Sequence, residues 1–304
     1  MQPVAPAPFL KMHGLGNDFV VLDGRRHGWT VTPALARALA DRRTGIGCDQ
    51  VILLTAGAEA ALDAAMAIWN ADGSTAEACG NAARCLVGLL LDESGADLVR
   101  LDTPSGPVSG WRAAADLAGP GRNDTGDWIS VDMGPVRTDW RDIPVASPCD
   151  TLHMPVSGGP LSDPVGVNVG NPHAVFFVPD AEVVDLATLG PQIERDPFFP
   201  RRVNVEVVSL LDTRTLRMRV WERGAGITRA CGTGACAALV AAHRRGLVDR
   251  PAARLRLDGG DLHIAWRDDN HVVMSGPART AFRGTVSPAL LAAAADTAGP
   301  VAGA

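Results

Sequence analysis

The chain has 304 residues, 46% of them hydrophobic and 20% charged, with a formal charge of −6 and an isoelectric point near 5.6. That is enough chain for two domains with separate cores, and the acidic balance argues against nucleic acid, whose protein partners carry a basic face. No apolar run approaches the roughly 20 residues needed to cross a bilayer, so no membrane partner is expected. The first residues lack the cationic region and apolar core of a secretory signal. A cytoplasmic, reducing setting follows, in which the six cysteines are mostly free thiols. The spacings 79/85 and 231/236 are not C-x-x-C, and no metal site is expected.

In chain order, residues 1–8 read as a tail. Gly14 and Gly16 mark a turn before a buried strand at Phe19–Leu22, without the third glycine and long helix of a dinucleotide site. Thr32-Pro33 opens a helix to Asp41, with proline suited to the first helical position. Gly45–Gln50 turns into a strand at Val51–Leu54, and Ala64–Trp69 is another. Asn81 to about Asp92 is apolar nearly all round and reads as a buried helix. Strands follow at Leu98–Leu101, Val108–Trp111 and Trp128–Met133, with a polar loop at 113–127. Pro144 and Pro148 make 137–149 the linker candidate. Val165–Val169 is a strand, Leu186–Arg195 a helix, and Val203–Val208 and Leu216–Trp221 strands. Gly234–Arg245 is a second small-residue helix stopped by Gly246. Hairpins turn at Asp258–Gly260 and Asp269–Asn270, and the alanine-rich end from Pro288 is a short helix or a frayed tail.

The chain repeats itself. Trp69 and Trp221 lie 152 residues apart (221 − 69), as do Met66 and Met218, Asn70 and Glu222, Cys79 and Cys231, and Gly80 and Gly232. Gly16-Asn17 and Gly170-Asn171 are 154 apart (170 − 16). Such self-similarity predicts two copies of one α+β domain, each a curled, mostly antiparallel sheet or barrel around a central buried helix. The first repeat is placed at 9–140 with 277–290, the second at 141–276, with tails at 1–8 and 291–304. A cleft between the halves is the expected place for a small-molecule site.

Each repeat sets a cysteine at the start of its helix, where the dipole and the unpaired N–H groups favour thiolate. A symmetric pair suits proton transfer at carbon: one thiolate removes an α-proton while the other thiol delivers one to the opposite face. The N–H groups at Gly80-Asn81 and Gly232-Thr233 would hold a substrate carboxylate and stabilise charge spreading into it. No cofactor is needed. A thiol-based redox or metal-binding protein is the alternative from another class, with a reversible Cys79–Cys231 disulfide as its working state. Cys48, Cys85, Cys149 and Cys236 read mostly as core residues.

The motifs Met12–Phe19, Gly45–Gln50, Asn70–Ser74, Ala78–Asn81, Gly170–His173, Glu222–Gly224 and Ala230–Ala235, in this order, resemble diaminopimelate epimerase. The resemblance spans residues 9 to about 284. It implies a pyridoxal-phosphate-independent isomerase interconverting LL- and meso-diaminopimelate, with Cys79 and Cys231 as the acid/base pair. On the same resemblance Asn17, Gln50, Asn70, Asn171, Asn204, Glu222 and Arg223 bind substrate. Gly80, Asn81, Gly232 and Thr233 hold the carboxylate, and His173 and Glu222 support the reaction. It also implies a homodimer. A related histidine- or proline-type racemase is the alternative, though proline racemases usually carry histidine where this chain has Asn81. Departures from the pattern are Ile227 in place of a polar residue, Ala82-Ala83, long loops at 56–63 and 113–127, and the absence of tyrosine, with Phe282 taking that place at the dimer contact.

Overall fold

The computed structural model describes residues 7–114, 117 and 128–296. The chain runs β1 (Ala7–Gly14), β2 (Asn17–Asp23), α1 (Pro33–Ala40), β3 (Gln50–Thr55), β4 (Ala64–Asn70), α2 (Gly80–Ser94), β5 (Val99–Asp102) and β6 (Val108–Arg112). It continues with β7 (Trp128–Pro135), β8 (Ser157–Gly158), β9 (Leu161–Ser162), β10 (Val165–Asn168), β11 (Pro172–Phe177), α3 (Leu186–Glu194), β12 (Asn204–Asp212) and β13 (Thr215–Glu222). The last elements are β14 (Gly226–Ile227), α4 (Gly232–Arg244), β15 (Ala252–Leu257), β16 (Gly260–Trp266), β17 (His271–Pro277), β18 (Arg279–Val286) and α5 (Pro288–Asp296). Two compact units result: one through Trp111 together with the chain from Ala278 onward, the other Arg112–Pro277.

In the first unit β1 pairs antiparallel with β2, β2 parallel with β3, β3 antiparallel with β4, β4 parallel with β5, and β5 antiparallel with β6. The second unit repeats the series through β10, β11, β12, β13, β15 and β16. The register repeats as well: Phe19 stands opposite Gln50 as His173 stands opposite Asn204. The chain therefore folds as two pseudo-symmetric α+β domains, each with a mostly antiparallel sheet. Helices α2 and α4 follow the same strand in each half, and each is buried along nearly its whole length. A helix buried on every face has its sheet curled around it.

Local chemistry explains the element ends. Leu15 and Gly16 both take positive φ, at 57° and 82°, as a two-residue hairpin turn between twisted strands requires. Thr32 accepts from Leu35 N–H and caps α1, with Pro33 behind it. Gly95 closes α2 in the left-handed region, its N–H donating to Leu91 O. Gly190 in α3 lies under the Trp221 indole, where a Cβ would come within 2.5 Å of the ring. Trp221 is half-buried, and its Nε1 donates to Glu194 Oε2 at 2.7 Å.

Three expectations change. Ala7 and Pro8, read as tail, lie in β1 opposite Val286 and Thr285 of β18, a strand the sequence reading lacked. Stretch 137–149 is no linker: its turns carry Ile143 and Val145 into the second unit's core beside Met154, Phe176 and Val205. Its prolines shape turns, while the apolar residues between them are anchored. Helix α4 begins at Gly232, two residues ahead of the expected Gly234. Residues 1–6 and 297–304, and nearly all of loop 113–127, lie outside the described residues. Among those described, no helix is long and apolar enough to cross a membrane.

Candidate active site

In the first unit the site residues gather at the N-terminus of α2. Cys79 is the N-cap, in extended backbone, and its Sγ accepts the Ala82 N–H at 3.4 Å. Serine or aspartate commonly fills that place; here the capping atom is a sulfur. The thiol also donates to Asn17 Oδ1 at 3.7 Å. Asn17 is held in that orientation from both sides. Its Nδ2 donates to Asp49 Oδ2 at 2.9 Å, while Asn81 Nδ2 donates to Asn17 Oδ1 at 3.2 Å. Arg42 binds Asp49 Oδ1 at 2.7 Å and fixes the carboxylate in turn. Gln50 and Asn70 face each other across β3 and β4, with Gln50 Nε2 donating to Asn70 Oδ1 at 3.0 Å. Asn70 Nδ2 donates to Ser74 Oγ at 3.1 Å, and Ser74 is held by Asp72.

In the second unit the residues gather at the N-terminus of α4. Cys231 is the N-cap, its Sγ accepting the Gly234 N–H at 3.4 Å and lying 3.5 Å from Thr233 Oγ1. Glu222 ends β13 and accepts a hydrogen bond from Thr228 Oγ1. Asn204 and His173 sit side by side on β12 and β11. Asn204 Nδ2 donates to Pro172 O at 2.9 Å, and its Oδ1 accepts the Arg223 N–H at 2.9 Å. His173 is fully buried; Nδ1 lies 2.7 Å from Glu206 Oε1 and Nε2 lies 2.8 Å from Asn171 Oδ1. The Arg223 guanidinium donates to Arg201 O at 3.3 Å. Neither α2 nor α4 has an acidic residue in its own first turn; at α4 the Glu206 carboxylate of β12 lies close instead, beside Gly234.

The two cysteines occupy equivalent caps in sequence and fold, but the second unit's electrostatics overturn one expectation. Burial pushes the Cys231 thiol well above its ordinary value, and nearby Glu222 and Glu206 push it further. The Thr233 hydroxyl and the Gly234 N–H oppose this only in part. Burial likewise raises the Glu222 carboxyl, against the hydrogen bonds from Thr228 and Cys231. The helix dipole favours thiolate by a kcal/mol or so; desolvation of a buried thiol outweighs it. Burial thus favours the thiol form of Cys231. Cys48, Cys85 and Cys236 are buried and Cys149 half-buried, as core packing predicts, and none of the six cysteines forms a disulfide.

Glu206, Asp49, Thr228 and Ser74 escaped the sequence reading. For Glu206 a signal was present: Asn204-Val205-Glu206 puts a carboxyl two residues from Asn204, hence on the same strand face. Ile227 pairs with Trp221 across β13 and β14 and is exposed.

By fold, the chain is similar to solved structures of an epimerase and a probable proline racemase. A hydroxyproline epimerase from Agrobacterium vitis superimposes with a TM-score of 0.65, covering 95% of each chain at 18% identity, a likeness of fold alone. The family model described as diaminopimelate epimerase matches residues 9–138 and 165–281. A diaminopimelate epimerase of Rhodospirillum centenum is 55% identical over 283 residues, 93% of both chains. One from Acidiphilium cryptum is 48% identical over 288 residues, 95% of this chain and 99% of its own. The chain belongs to the diaminopimelate epimerase family.

Proposed function

We propose that this protein epimerises LL-2,6-diaminopimelate to the meso form without a cofactor, using Cys79 and Cys231 as a two-base pair. The observation that carries the reading is the doubled cap: a thiol sulfur closes the N-terminus of each repeat's buried helix. One thiolate takes the α-proton from one face of the carbon. The other thiol gives its proton to the opposite face, inverting the centre. The pair ends each turnover with the proton exchanged between sulfurs, ready for the reverse reaction. The backbone at Gly80-Asn81 and Gly232-Thr233 holds the reacting carboxylate, whose growing negative charge the two helix ends stabilise.

The non-reacting end of the substrate is a second amino acid. Its carboxylate calls for a guanidinium and its ammonium for side-chain oxygens; Arg223 and the amides Asn70, Asn171 and Asn204 supply both, while Asn17, Gln50 and Glu222 complete the substrate-binding set. His173 and Glu222 support the proton chemistry. The protein is assigned to the cytoplasm, as a homodimer whose contact includes the exposed Phe282, which packs edge-on against Phe9.

Substrate choice is tested by incubating the purified enzyme separately with LL-diaminopimelate, L-proline and L-histidine, without pyridoxal phosphate, and resolving stereoisomers by chiral chromatography. Only diaminopimelate is expected to interconvert. Racemisation of proline or histidine with diaminopimelate untouched would replace the assignment with that of a related racemase.

A further inference from the structure

The Glu206–His173 pair is a polar insertion into what the first repeat builds as hydrocarbon. The shared register makes His173 the counterpart of Phe19 and Glu206 the counterpart of Ile52: Phe19 stands opposite Gln50 and Val21 opposite Ile52, as His173 stands opposite Asn204 and Val175 opposite Glu206. Phe19, Ile52, His173 and Glu206 are all fully buried. The fold is therefore satisfied by an apolar pair at this place, and packing alone gives no reason for a carboxylate and an imidazole. Replacing a buried ion pair with well-packed hydrocarbon is often neutral or stabilising.

A third change makes room for the pair. Gly234, third after the capping Cys231, stands where the first repeat has Ala82, third after Cys79. A Cβ on Gly234 would lie 2.8 Å from Glu206 Oε1 and 3.3 Å from Cys231 Sγ. The carboxylate thus occupies the space that the alanine methyl fills in the first repeat. Among the described residues its second oxygen, Oε2, is buried without a hydrogen-bond partner, a costly arrangement for an acceptor.

We propose that Glu206 is a positioning residue, which holds the His173 ring and, through it, sets the orientation of the Asn171 side-chain amide. A carboxylate only accepts, so the His173 Nδ1 at 2.7 Å carries a proton. Nε2 stands 2.8 Å from Asn171 Oδ1, which likewise only accepts, so Nε2 donates as well, and with both ring nitrogens donating the amide is held with its oxygen toward the ring. The Asn171 amide is thereby locked before substrate arrives, and the freedom it would otherwise lose on binding is already gone. This proposal rests on Asn171 contacting substrate, as assigned above.

The test has a spectroscopic arm and a kinetic arm. In 15N-labelled protein the His173 Nδ1–H resonance is strongly deshielded and slow to exchange with solvent; in Glu206→Gln it moves upfield and exchanges faster. In the same variant KM for LL-diaminopimelate rises about tenfold, the scale of one charged hydrogen bond, with kcat changing much less. Asn171→Ala raises KM too, and Glu206→Gln adds nothing further in that background, because both act on one contact. An unchanged His173 resonance overturns the proposal, as does a full multiplication of the two KM effects. Because the resonance is read without substrate, it tests the hold on His173 even if the wild-type enzyme proves inactive on diaminopimelate, a result that would count against the functional assignment alone. Where Glu206→Gln fails to fold, the variant combining His173→Phe, Glu206→Ile and Gly234→Ala rebuilds the first repeat's packing and is expected to fold. Wild-type KM in that variant would also overturn the proposal.

Discussion

Replacing Cys231 with alanine is expected to lower epimerisation of LL-diaminopimelate by about 10³-fold or more, and Cys79→Ala to do the same. A positioned acid or base contributes roughly 10²–10⁴-fold to such a proton transfer. In a two-base inversion each sulfur serves one face of the carbon, so neither can stand in for the other. Alanine also removes a cap from α2 or α4, at a cost of about 1 kcal/mol, so circular dichroism and thermal melting accompany the rates. Cys85→Ala is the control. Cys85 is fully buried within α2, its thiol pushed up to about 12 by burial; its loss leaves a small cavity and kcat within a few-fold of wild type. Initial rates from both the LL and meso substrates check the assignment. Full turnover by either capping variant would remove the two-base mechanism.

The second large effect is on stability at alkaline pH. Burial pushes the thiol of Cys48 up to about 11, that of Cys85 up to about 12, and that of Cys231 well above its usual value. In the unfolded chain these thiols ionise near 9. Between pH 9 and 11 the unfolded state therefore binds fewer protons than the native state, and stability falls as pH rises. Each thiol contributes a slope of up to about 1.4 kcal/mol per pH unit, so the three together approach about 4. Composition makes the window unusually clean: the chain has no tyrosine, and its one lysine is Lys11. Urea unfolding under reducing conditions at pH 7, 9 and 10.5 is expected to show midpoints falling steeply above pH 9. Equal midpoints at pH 7 and 10.5 would mean that the buried thiols are not desolvated as described.

Much of the fold is legible in the residues because local signals agree with it. Thr32-Pro33, Gly95 and Gly246 punctuate helices, and apolar runs at Val51–Leu54 and Val203–Val208 mark buried strands. Strand β18 was hidden because its residues from Thr280 to Arg283 are exposed, and it is held by pairing with β1, far off in sequence. The start of α4 was misplaced because Gly232-Thr233-Gly234 reads as loop; the Cys231 sulfur, capping the Gly234 N–H three residues on, starts the helix there.

The site divides along the same line. Repeated spacing brought out the cysteines, Asn17 with Asn171, and the contrast of Asn70 with Glu222, while Gln50, Asn204 and Arg223 came from the family resemblance. The support behind them depends on strand neighbours: Asp49 behind Asn17, and Glu206 behind His173, are joined by pairing between segments about thirty residues apart. The helix dipole at Cys231 could be read from the sequence, but the burial that outweighs it could not.

The most direct measurement of the central claim follows LL-diaminopimelate in deuterium oxide at early conversion, with mass spectrometry of both stereoisomers. Two opposed thiols predict one deuterium at the inverted α-carbon of the meso product, while the remaining LL substrate stays unlabelled. Deuterium entering the LL pool as fast as product forms, or protium retained at the inverted centre, would point to a single base and contradict the account.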